Sequence, residues 1–270
     1  MQHLGCIRGL RLQAALVRGT LRIVRRPMAI SDPKFEPTAP LEISRDEVHL
    51  WQVGLTAVRS GEARWRNIIA DDERRRAARF RFAVDRQNFT AARALLRILL
   101  GAYAGLDPEA VTFSYAKQGK PSLNKGQQKE RLEFNLSHSG EIALLAFARG
   151  RAVGVDIERI RDNLDPAKMA RRFFSQPEQT ALSVLPPSER CLGFFRCWTR
   201  KEAYLKARGA GLSLPLDQFD VSLRPGDQNA LLEARMPDAD ITAWSLGELT
   251  VTNGYVAALC VEGNGWRLIF

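Results

Sequence analysis

Across 270 residues the chain has four cysteines and three histidines, and neither set is grouped. Cys6, Cys191, Cys197 and Cys260 show no metal-ligand spacing and nothing like the density of a disulfide scaffold. Structural zinc is therefore not expected, and reduced thiols in a cytoplasmic compartment are. Long hydrophobic runs are missing too, so stable membrane insertion is not expected. There is no G-x-G-x-x-G, no Walker loop and no G-x-S-x-G elbow, which removes the common phosphate-cradling loops and the usual strand-to-helix serine nucleophile. No repeat of short period is present. The first 27 residues lack acids altogether.

That acid-free segment places Arg8, Arg11, Arg18, Arg22 and Arg25 at helical spacing, with Leu10, Leu12, Leu16, Val17, Ile23 and Val24 over the other face. It reads as a disordered tail or as a start placed ahead of Met28; an organelle transit signal or membrane-surface helix stays open. Residues 1–45 are accordingly set aside as a basic extension. The rest is ordinary globular sequence, 45% hydrophobic and 26% charged. The formal charge of +10 predicts an acidic partner. Nucleic acid is disfavoured, because the basic residues are not interleaved with aromatics and no binding motif is found.

Along the chain, EVHLWQVGL alternates like a strand, with Val48, Leu50 and Gln52 on one side. ADDERRRAARFRF reads as a basic helix opened by acids, and FTAARALLRILLGAYAGL as an apolar helix ending near Gly105. VTFSYAKQGKPSL is a short strand running into a Gly-Lys-Pro turn; LEFNLSHSG, EIALLAFA and VGVDIERI are strands. Helices are expected over 167–174, 178–184 and 197–207, and strands from FDVSL to WRLIF. Strands and helices in separate runs, repeated in halves 46–150 and 151–270, give an α+β fold.

Two stretches carry chemistry. In GVDIERI, alternation puts Asp156 and Glu158 on one face, about 7 Å apart by twice the rise per residue. In WTRKEAYLKARGAGL, Trp198, Glu202 and Lys206 share one helical stripe, which by itself suits a solvent-exposed Glu–Lys pair. If Glu202 approaches the strand, three carboxylates converge and suit Mg2+, with Lys201 and Lys206 facing phosphate oxygens. The expected object is a pyrophosphate site. Ser137 and His138 point to opposite faces of their strand and cannot form a serine–base pair. As phosphate donors they fit, and so does Lys120 in its turn.

The set GKPSL, FNLSHSG, GVDIERI, RRFFS and WTRKEAYLKARGAGLSLPL, spanning roughly Arg74 to Val221 in order, resembles the 4′-phosphopantetheinyl transferase superfamily, in its surfactin-synthetase-activating type. The resemblance implies two similar α+β halves related by a pseudo-twofold, an active cleft between them, and a monomer. It implies transfer of 4′-phosphopantetheine from coenzyme A to a serine of an acidic acyl or peptidyl carrier protein, releasing adenosine 3′,5′-bisphosphate. By that resemblance Asp156, Glu158 and Glu202 hold Mg2+, or Mn2+ in its place, and Lys206 contacts the attacked phosphate. Lys201 and Trp198 complete the helix motif. Lys120, Ser137 and His138 meet coenzyme A, and Arg76, Arg79 and Arg93 its 3′-phosphate. Glu202 is the first choice of general base and Glu158 the second. A coenzyme A or nucleotide sensor that binds without transferring is the competing reading.

Overall fold

The computed structural model describes residues 28–270 apart from Lys129, Asp162, Ala210, Pro237 and Asp238. The basic segment 1–27 lies outside the described residues. The rest of the expected extension is anchored at a few points: β1 (Met28–Ile30) runs parallel to β2 (Glu47–Gly54), pairing Ala29 with Gln52. Ile30 and Ile43 are buried, and Phe35 sits edge-on to Trp51 at 5.7 Å. For residues 28–45 alone the expected extension is corrected, since a few apolar contacts, too sparse to show a period, hold this stretch to the body.

After β2 come the short helices α1 (Leu55–Val58), α2 (Glu62–Ile68) and α3 (Asp71–Ala77), then α4 (Ala83–Ala104). Asp71, Asp72 and Glu73 oppose the dipole at the start of α3, and the Glu73 carboxylate accepts the Ala70 N–H at 2.9 Å. α4 stops at Gly105, whose φ of 70° is the left-handed cap that glycine adopts without strain. A hairpin of β3 (Phe113–Tyr115) and β4 (Pro121–Leu123) precedes three longer strands, β5 (Leu132–Ser139), β6 (Ile142–Arg149) and β7 (Val153–Arg159).

Helices α5 (Pro166–Phe173), α6 (Gln176–Ser183) and α7 (Pro187–Arg208) follow. α7 begins ten residues before the sequence suggested. Its Pro187 is pre-set for a first helical position, and its interior Gly193 makes room for Leu185, where a Cβ would stand 2.5 Å from a methyl. Both features look like helix breakers in sequence. The remaining strands are β8 (Phe219–Val221), β9 (Leu231–Ala234), β10 (Trp244–Leu249), β11 (Tyr255–Glu262) and β12 (Arg267–Ile269).

Two sheets stack between two long helices. The first has the order β1-β2-β6-β5, and the second β10-β11-β7. The inter-sheet core takes Val48, Leu50, Leu144, Ala146 and Ala148 from one and Val155, Ile157, Ala257, Leu259 and Val261 from the other. β6 buries its second face, Ala143, Leu145 and Phe147, under α4, and β11 buries Val256, Ala258 and Cys260 under α7. Burial on both faces explains why IALLAFA and VAALCV are nearly unbroken apolar runs. β12 does not stay with the second sheet: it crosses back to pair parallel with β2, Leu268 against Val48. Among the described residues no helix is long and apolar enough to cross a membrane.

Candidate active site

The site forms where α7 lies on β7. Contact is close because residue 154 is glycine: a Cβ there would run into the Ala203 carbonyl and the Ala207 backbone. The glycine of GVDIERI thus lets the helix settle onto the strand, one residue pair away from the carboxylate that follows. Asp156 is 4% exposed. Its Oδ1 accepts from Ser137 Oγ at 2.8 Å and from Lys206 Nζ at 2.5 Å, and Lys206 also reaches Ser137 Oγ at 3.0 Å. Its Oδ2 is buried without a hydrogen-bond partner. A buried carboxylate oxygen left unpaired is costly and marks a place where positive charge or a donor belongs.

Glu158 and Glu202 stand beside it. Burial first, then the Asp156 charge, raises the proton affinity of both, and Glu158 adds to the effect on Glu202. Glu158 Oε2 accepts from Ser139 Oγ at 2.8 Å. The three carboxylates therefore neighbour one another as expected, but among the described residues no three potential ligands are gathered as a ready cation cage. The donor set still fits a hard divalent cation: oxygen ligands only, one of them orphaned, and mutual repulsion that such an ion relieves.

The joint between the sheets is made by side chains. On one face of β5, Asn135 Oδ1, Ser137 Oγ and Ser139 Oγ accept the backbone N–H groups of Val155 (2.9 Å), Ile157 (3.4 Å) and Arg159 (3.0 Å). These alternate residues replace a strand ladder, and two of the same hydroxyls donate to Asp156 and Glu158. Sequence reading singled out Ser137 but missed Asn135 and Ser139; the period-2 pattern N-x-S-x-S was the available signal.

His138 points to the other face of β5 and is exposed. Lost solvation around the ring, with the Lys206 and Arg76 charges, lowers its proton affinity against the opposing pull of Asp85. Arg76, exposed and stacked 5.3 Å over the Phe89 ring, is thereby in the electrostatic reach of the site. Arg79 is exposed just beyond the end of α3.

Three expected ligand contacts are placed differently. Lys201 is fully buried, paired with Glu178 at 2.7 Å and donating to the carbonyls of Leu216 and Phe219 at 2.6 and 2.5 Å. This corrects its assignment to phosphate: one residue is a turn of about 100° on a helix, so Lys201 cannot share the face of Glu202. Arg93 is likewise corrected, being buried against Glu73 and the Phe113 ring. Lys120 spans two elements, its ammonium on the Val153 and Ala207 carbonyls at 3.2 and 3.1 Å, and burial lowers its proton affinity. Trp198 stacks on Phe194 and meets Phe173 edge-on. A basic depression lined by Ala63, Arg66, Asn67 and Arg74 shares none of these residues, and Arg74 is spent there on Asp71 and the Arg66 carbonyl.

Comparison with known proteins agrees with the motif order. Residues 152–260 match the model described as the 4′-phosphopantetheinyl transferase superfamily, and residues 60–149 one described as 4′-phosphopantetheinyl transferase, N-terminal. The chain is 40% identical over 227 residues to the 4′-phosphopantetheinyl transferase HetI of Nostoc sp., covering 84% of this chain and 92% of that relative. It is 30% identical over 197 residues to Sfp of Bacillus subtilis, covering 73% and 84%. A putative 4′-phosphopantetheinyl transferase of Synechocystis sp. is 33% identical over 180 residues, covering 66% and 71%.

Proposed function

We propose that this chain, which belongs to the 4′-phosphopantetheinyl transferase superfamily, transfers 4′-phosphopantetheine from coenzyme A to a serine of an acidic acyl or peptidyl carrier protein. The observation that carries the reading is the half-satisfied Asp156, held by Ser137 and Lys206 on one oxygen, unpartnered on the other, and flanked by Glu158 and Glu202. Asp156, Glu158 and Glu202 would hold Mg2+, or Mn2+ in its place, and the ion would supply charge neutralisation for the phosphates of the coenzyme.

The chain's own groups do the rest. Lys206, with its ammonium already in the site, donates to the phosphate under attack; His138 and Arg76 receive the remaining phosphate charge. Glu202 accepts the carrier serine proton, directly or through a bound water. The serine Oγ forms a bond to the β-phosphorus. The bond from that phosphorus to the bridging oxygen breaks, its electron pair leaving on adenosine 3′,5′-bisphosphate. The net charge of +10 steers an acidic carrier to the site, so the encounter slows as salt is added.

The test is intact-mass measurement of an apo carrier protein incubated with coenzyme A, Mg2+ and the chain or its Glu202→Ala variant. A gain of one phosphopantetheine that the variant fails to produce is expected. Coenzyme A binding without any gain on several carriers would replace transfer with the sensor reading.

A further inference from the structure

Glu158 meets one hydroxyl and one cation on the same oxygen. Ser139 Oγ donates to Glu158 Oε2 at 2.8 Å, while Arg161, its side chain 60% exposed, stands 3.7 Å from the same oxygen. The hydroxyl is itself fixed, because it accepts the Arg159 N–H at 3.0 Å and so takes its place from the β7 backbone. A glutamate at the half-buried end of a strand otherwise keeps several rotamers, and ordering them at the moment of ligand binding costs affinity.

We propose that Ser139 is a positioning residue: its hydrogen bond to Glu158 Oε2, an oxygen that the exposed Arg161 also approaches, fixes the carboxylate in one rotamer and so pre-orders the oxygen set for a divalent cation. The proposal rests on the reading of Asp156, Glu158 and Glu202 as cation ligands. Asn135 is an internal control, since it accepts a β7 N–H in the same way and, among the described residues, bonds to no carboxylate.

The experiment titrates Mn2+ into the chain with saturating coenzyme A, reading free Mn2+ by electron paramagnetic resonance against a coenzyme-only blank, with melting temperature measured in parallel. Ser139→Ala is expected to weaken Mn2+ binding about tenfold, as lost support of a ligand does, and Ser139→Thr to keep it. Asn135→Ala is expected to lower the melting temperature yet leave Mn2+ affinity as it was. If Ser139→Ala does not fold, Ser139→Cys reads the same loss with the volume kept. Unchanged affinity in the Ser139 variants, or equal losses in the Ser139 and Asn135 variants, would overturn the proposal. Asp156→Ala separates the two levels. If it abolishes Mn2+ binding while Ser139→Ala leaves the affinity unchanged, this inference alone falls; if the unsubstituted chain binds no Mn2+, both fall.

Discussion

α4 and α7 are both 22 residues long, both cover one face of a sheet, and both end on a left-handed glycine. Their buried charges differ in kind. In α4, Arg93 and Arg97 meet across the two oxygens of Glu73, and Arg97 also donates to the Val111 carbonyl at 2.7 Å. In α7, Lys201 closes a similar account with Glu178, but Glu202 and Lys206 face Asp156, where one oxygen has no partner and the carboxylates repel. The first half has spent its charges on structure, and the second has left some unspent. Chemistry is found where the electrostatic balance is incomplete.

The comparison is broken most strongly at Asp156. Asp156→Ala is expected to slow carrier modification about a thousandfold or more, measured as the initial rate of mass gain, because it removes a proposed ligand and the counter-ion of Lys206 together. The matching cut in the first half is Glu73→Ala. It leaves two buried guanidinium groups unpaired, so a loss of about 3–5 kcal/mol is expected in urea unfolding. Gly154→Ala comes next, at about 1–3 kcal/mol by overpacking. It also moves α7 off β7, so transfer falls further than the stability loss explains.

The smallest effect on stability has the opposite sign. Burial first, and Asp156 second, raises the Glu202 proton affinity, so the folded chain holds that proton at a higher pH than the unfolded chain does. The ionised carboxylate therefore opposes folding at neutral pH, and this cost vanishes as pH falls below the ordinary glutamate value of 4.5. Glu202→Gln is expected to abolish transfer yet stabilise the free chain by about 1 kcal/mol at pH 7, with the gain fading in acid. Thermal unfolding from neutral to acid pH checks it, and a destabilised variant at pH 7 would remove the contrast between the helices.

The site was legible where chemistry and period coincide. The stripe Trp198, Glu202, Lys206 and the alternation of Asp156 with Glu158 follow from 3.6 and 2.0 residues per repeat, and the family motif order joined them. Lys201 was misplaced by proximity in sequence, although its helical angle set it apart. Arg93 belongs to AARALLRILL, where apolar neighbours imply burial; its partner Glu73 lies on another helix, and no local pattern reports that pairing. The same holds for β12 returning to β2 and for residues 28–45 lying against the first sheet, since three-residue parallel pairings leave almost no periodic trace. Asn135 and Ser139 were in view as a pattern, but nothing in β5 itself says that a second strand waits beside it.

The seam of Asn135, Ser137 and Ser139 is graduated like a vernier. Because only alternate residues face β7, the sheets cannot be adjusted finely: the nearest other register lies two residues away, about 7 Å along the strand. In one such shift the Asn135 amide stands at the Ile157 N–H and Asp156 loses its hydroxyl donor. Assembly is thus digital, and a chain whose halves meet at all meets either in working alignment or with its carboxylates a full step out of place.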